Sequence, residues 1–153
     1  MQPNIDELKN IAGLFYKAGQ TVSDAGIFPY FSEFPVGWCG TMSGALGGYL
    51  RSLYPNERIK YVCGCYGHMS HAWINISGII IDLTPKQFEF CDDDIIVCKE
   101  NDSVFHKTFE VSAADIRDCT VTDMHYYEES IIIAYAMNLS KKSVTNTDIK
   151  FNT

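Results

Sequence analysis

A thiol nucleophile needs a base beside it and a third group to hold that base. Cys39, His71 and Asp82 supply those residue types, in that order, along the 153-residue chain. Cys39 opens a stretch, residues 39–53, that reads as a helix after loop residues Pro35 and Gly37. At a helix N-terminus the unsatisfied amides and the macrodipole favour a thiolate, and a neighbouring imidazolium lowers its pKa further. The same amides can stabilise a developing oxyanion. His71 and Asp82 lie in the run from His71 to Thr84, which reads as two short strands around a Ser77-Gly78 turn. If Ile76 pairs with Ile79, Ile74 faces Ile81 and Ala72 faces Leu83, so one side of this hairpin is wholly apolar. The other side carries His71, Trp73, Asn75, Ile80, Asp82 and Thr84. Trp73 is then opposite Asp82, with His71 on the diagonal at about 7–8 Å, so the alternation that buries one face gathers an imidazole and a carboxylate on the other.

The elements that must position these groups can be read around them. Ile5, Leu8, Ile11, Ala12 and Phe15 recur at helical spacing behind Asn4 as N-cap and Glu7 three residues on, giving an amphipathic first helix. Residues 19–37, with prolines, glycine and several aromatics, read as a long loop into the cysteine helix. Gly40, Gly44, Gly47 and Gly48 cost an exposed helix about 1 kcal/mol each relative to alanine, so close packing of that helix on a sheet is expected. Arg58–Cys65, Ile95–Lys99 and Val104–Val111 are strand candidates, Ser112–Asp118 a short helix, and Glu128–Lys141 a longer helix before a polar tail beyond Ser143. Helices first and strands after give an α+β order for residues 1–153 as a single domain.

The order of cysteine on a helix, histidine in a His-Ala-Trp context and aspartate in an Ile-Asp-Leu-Thr context, followed by Gln87-Phe88, resembles the papain-like and transglutaminase-like superfamily. The resemblance spans residues 36–88. It implies a cysteine-bearing helix packed on an antiparallel sheet, with Cys39 as nucleophile, His71 as general base and acid, and Asp82 as the group that orients the imidazole. It further implies a cysteine peptidase or amidohydrolase working through a thioester without a cofactor, or a glutamine deamidase or transglutaminase-type effector or toxin. Trp38 and Trp73, which flank the cysteine and the histidine, are the expected substrate-binding residues. Two features depart from the family: Trp38 precedes the cysteine instead of following it, and no glutamine lies shortly upstream to serve an oxyanion hole.

Each triad member alone has a plainer role: a buried small hydrophobe for Cys39, a hydrogen-bonded structural histidine for His71, a backbone-bonding carboxylate for Asp82. Their joint order and facing point to chemistry instead. The six cysteines also raise disulfides and metal. The first ten residues lack a basic stretch followed by an apolar run, so a reducing, cytoplasmic setting is expected, delivery as an effector remaining open. Cys63, Cys65, His68 and His71 offer tetrahedral-zinc atoms at tighter spacing than usual, so a non-catalytic binding protein stabilised by zinc through Cys63, Cys65 and His68 is the rival from another class. Asp92-Asp93-Asp94 lacks the spaced ligands of a calcium loop, and His106 and His125 read as surface or satisfied structural histidines.

A formal net charge of −7 argues against nucleic acid and anionic lipid as partners, and the resemblance implies a polypeptide or an amide-containing small molecule as substrate. The longest apolar runs fall far short of a membrane span.

Overall fold

The computed structural model describes residues 2–119 and 126–151 and is a mixed α and β fold, with four helices and a five-stranded antiparallel sheet. His125 lies outside the described residues. Helix α1 (Ile5–Asp24) starts where the cap signal places it, with the Glu7 amide donating to Asn4 Oδ1 at 2.8 Å. It runs beyond the expected boundary at residue 19, because Ala18, Gly19 and Val22 continue the buried face. Gly19 lies so close to Phe34 that a Cβ would come within 2.6 Å of that ring, so tertiary packing overrides glycine's low helix propensity.

Helix α2 (Cys39–Leu53) begins at the cysteine itself and packs on the first two strands, β1 (Ile59–Tyr66) and β2 (Met69–Ile76). Strand β3 (Ile79–Asp82) completes the hairpin in the expected register, Ile76 with Ile79 and Ile74 with Ile81. Ser77 and Gly78 both take positive φ, 49° and 88°, as a primed two-residue turn requires. Strand β4 (Ile96–Lys99) extends the sheet on the far side of β3, and a short strand, β5 (Ile116–Asp118), on the far side of β1, giving the order β4-β3-β2-β1-β5.

Two expected elements differ. Residues 104–111 do not form a strand: Ser103 accepts from the His106 amide and caps a single helical turn, α3 (Val104–Lys107), leaving Glu110 to bridge Cys65. In residues 112–118, a 3₁₀ turn at Ala113–Asp115, closed by a reciprocal Ser112–Asp115 cap, leads directly into β5. The last helix, α4 (Tyr126–Phe151), starts earlier than Glu128 and continues through the polar tail to Phe151. Among the described residues no helix is long and apolar enough to cross a membrane.

Helices α1 and α2 cover one face of the sheet, and α4 packs on both of them. Leu8, Phe15, Met42, Leu46 and Leu50 meet Ile59, Ile74, Ile76 and Ile81 there, joined by Ile132 and Ala136 of α4. The opposite face carries a smaller cluster of Val62, Trp73, Ile80, Phe88 and Phe109. The helix glycines divide by location. A Cβ on Gly47 would stand 2.5 Å from Cys119 Sγ and 3.0 Å from Ile74 Cδ1, and one on Gly44 would meet Glu129 of α4, whereas Gly48 faces open space. Gly47→Ala should therefore destabilise by about 1–3 kcal/mol by overpacking. Gly48→Ala should stabilise by up to about 1 kcal/mol, following helix propensity. Urea midpoints of the two variants against wild type measure both.

Candidate active site

Cys39 occupies the first position of α2, behind Trp38, which contributes no side-chain cap. The first amides of a helix have no intrahelical acceptor, so they present their N–H groups beside this thiol. From β2, the His71 imidazole and the Ala72 amide both act on the Cys39 sulfur, each favouring its thiolate. Tyr61 and Cys63 of β1 stand near the same sulfur, with Arg117 4.3 Å above the Tyr61 ring. Burial, reinforced by the charge of Cys39, pushes the Tyr61 phenol up to about 12.

His71 and Asp82 are both fully buried, and His71 Nε2 lies 2.6 Å from Asp82 Oδ2. The carboxylate can only accept, so Nε2 donates and Nδ1 is left to face the thiol and Gln87. Asp82 Oδ1 accepts from the Thr84 amide at 2.9 Å, which fixes the plane of the carboxylate. The imidazole stands in an aromatic box, with ring centroids of Phe88 at 5.0 Å, Phe109 at 5.5 Å, Trp73 at 5.8 Å and Phe105 at 5.9 Å. Gly64, paired across from His71 on β1, leaves room for this box: a Cβ there would come within 2.8 Å of both Phe109 and Trp73.

Burial alone would lower the His71 pKa, but its bonds to Asp82 and Cys39 outweigh it and raise the imidazole to about 9. Burial would likewise raise Cys39 and Asp82. For Cys39 the His71 imidazole wins, helped by the Ala72 amide and Gln87, and the thiol pKa falls below its ordinary value. For Asp82 the bonds to His106 and His71 win, and the carboxyl is held below its ordinary value. A thiolate beside an imidazolium is thus the favoured neutral-pH state of the pair.

The fold brings Cys39, His71 and Asp82 together and adds two residues given no role above. His106 is buried, with Nε2 2.8 Å from the same Asp82 Oδ2 and Nδ1 2.5 Å from the Ser103 hydroxyl. It is a satisfied histidine, and the residue it satisfies is Asp82. Gln87 ends the 3₁₀ turn Pro85–Gln87 after β3, with Nε2 2.5 Å from His71 Nδ1, and it also helps to lower the Cys39 thiol pKa.

The two expected substrate-binding tryptophans are placed differently. Trp38 is 1% exposed: its ring packs among Phe28, Phe31 and Phe34, and its Nε1 donates to the Ser32 carbonyl at 2.7 Å. It is a core residue that anchors the loop before Cys39, not a surface for substrate. Trp73 is buried against His71 and His106, 4.7 Å from the latter ring, and its remaining edge lines a groove of about 800 Å³ on the open sheet face, away from Cys39.

Cys63, Cys65 and His68 do not gather into a metal-binding set among the described residues, and Cys63 and Cys65 carry free thiols. Cys63 pairs across from Ala72 and His71 from Gly64, so Cys63 and Cys65 project from the opposite face to His71. The atoms that do converge, those of His71, Asp82 and His106 within 4.8 Å of one another, are bonded to each other through Asp82. Comparison of the chain with protein-family models, with curated proteins and with solved structures finds no match.

Proposed function

We propose that this protein is a thiol enzyme of the papain-like or transglutaminase-like kind, acting on an amide or acyl bond of a polypeptide or a small molecule. The supporting observation is the continuous chain from the Cys39 thiol through the His71 imidazole to the buried Asp82 carboxylate, with the thiol at a helix N-terminus. The Cys39 thiolate attacks the carbonyl carbon, forming a C–S bond as the C=O electron pair moves onto oxygen. Collapse of that tetrahedral species breaks the C–N bond, and the imidazolium of His71 gives its Nδ1 proton to the departing amine. His71, now neutral, removes a proton from water, whose oxygen attacks the thioester and returns Cys39. Asp82 holds the ring throughout and remains ionised.

Hydrolysis, of a peptide bond or of a side-chain amide, is the preferred outcome; an amine that reaches the thioester ahead of water would give transamidation instead. Incubation with a peptide library read by mass spectrometry separates the outcomes. New termini mark proteolysis, and a gain of about one dalton at glutamine marks deamidation through the same thioester. Cys39→Ala should reduce turnover by about 10³-fold or more. Full activity of that variant on every substrate that the wild type processes would refute the proposal.

A further inference from the structure

Gln87 lies where the proton and the charge both move. Its Oε1 accepts from the Gly37 amide at 3.4 Å, in the loop just before α2, and this contact orients the carboxamide with its NH₂ towards the site. That NH₂ reaches two acceptors: His71 Nδ1 at 2.5 Å and the Cys39 sulfur. The two bonds cannot persist through one catalytic cycle. When His71 is neutral with Nε2–H given to Asp82, Nδ1 holds a lone pair and accepts from Gln87. Once Nδ1 takes the thiol proton, two N–H donors face each other at that separation, and the amide retains only the sulfur side as partner.

Resting on the thiol-enzyme reading, the geometry points to Gln87 as the side-chain oxyanion donor of this site. Its NH₂ pivots about the Gly37-anchored oxygen and is released from His71 Nδ1 when the imidazole becomes protonated. The released N–H lies beside the sulfur as the sulfur attacks the carbonyl carbon and negative charge passes to the carbonyl oxygen, and the first amides of α2 approach the same place from the helix side. A glutamine downstream of the triad aspartate thus takes the position for which no upstream glutamine exists.

Two reagents at the same thiol separate this role from a structural one. 4-Nitrophenyl acetate acylates a thiolate through a tetrahedral oxyanion: the C–S bond forms, the carbonyl pair moves to oxygen, and collapse expels 4-nitrophenolate. Iodoacetamide alkylates the same sulfur by displacing iodide and forms no oxyanion. Gln87→Ala, and Gln87→Met as a variant of similar length without the N–H donor, should slow Cys39 acylation by about 10²-fold. Alkylation at about pH 6 should change by less than about 3-fold. An unchanged ratio of the two rates in both variants, whether both rates hold or both fall, overturns the assignment of Gln87 alone. A wild-type Cys39 that reacts with neither reagent faster than the other cysteines overturns the thiol-enzyme reading and this inference with it.

Discussion

Iodoacetamide at about pH 6 should modify Cys39 about 10-fold or more faster in the wild type than in His71→Ala, and faster than at any other cysteine of the chain. An unperturbed thiol is ionised to about 0.3% at that pH, so stabilising the thiolate multiplies the reactive fraction many-fold. The gain in rate is smaller than the gain in ionisation, because nucleophilicity declines as the thiol pKa falls. The pH profile carries more information than the single rate. The wild-type rate should rise early, with the lowered Cys39 pKa, and change again near pH 9, where the His71 imidazolium loses its proton. Without the imidazole a single late rise, as for an ordinary thiol, is expected. Peptide mass spectrometry locates the adduct. Slow modification in both proteins would leave Cys39 as a structural cysteine and return attention to metal content, beginning with the His71, Asp82 and His106 cluster.

The hairpin was legible in the sequence because strand alternation and a two-residue turn constrain each other: a slip of one residue would have placed His71 and Asp82 among the isoleucines of the helix-covered core. Cys39 at the start of α2 was legible from the Pro35 and Gly37 loop signals. His106 was not. Val104, Phe105, Phe109 and Val111 alternate well enough to suggest a strand, and only Ser103 three residues before His106 signals the capped turn that directs the ring to Asp82. Gln87 was visible as part of the Ile-Asp-Leu-Thr…Gln-Phe run, but its reach to both Cys39 and His71 depends on the 3₁₀ turn begun by Pro85 and on its bond to Gly37, fifty positions distant. Trp38 shows the opposite error. A tryptophan next to a candidate nucleophile suggests a substrate wall, while the aromatic loop of Phe28, Phe31 and Phe34 folds back to bury it.

The sharing of one carboxylate by two histidines has an energetic consequence. Asp82 is fully buried, its Oδ2 accepts from both imidazoles, and its Oδ1 accepts from the Thr84 amide. Asp82→Ala leaves those three donors without an acceptor and the His71 imidazolium without its counter-charge, a loss of about 3–5 kcal/mol. Asp82→Asn is no gentle substitute. An amide oxygen placed to serve both histidines turns its NH₂ against the Thr84 N–H, and the reverse orientation turns the NH₂ against the two ring N–H groups; about 2–3 kcal/mol of loss is expected.

The same contacts set the pH range of stability. The His71 pKa is raised from 6.5 to about 9 in the folded state, so its contribution is fully present below 6.5 and is lost as pH rises through about 9. The Asp82 pKa is lowered, so its contribution is present above the ordinary value of 3.8 and is lost as pH falls through the depressed one. In the wild type the lowered Cys39 pKa acts in the opposite sense to His71, adding stability as pH rises towards the ordinary thiol value, so the acid limb is read in the wild type and the alkaline limb on a Cys39→Ala background. In Asp82→Asn the carboxylate's contribution to the acid limb disappears and the alkaline limb moves to lower pH, because His71 loses the partner that holds its proton. Urea midpoints measured from acid to alkaline pH test this directly. An Asp82→Asn protein as stable as wild type, with the alkaline limb unmoved, would show that the carboxylate does not support the His71 imidazolium.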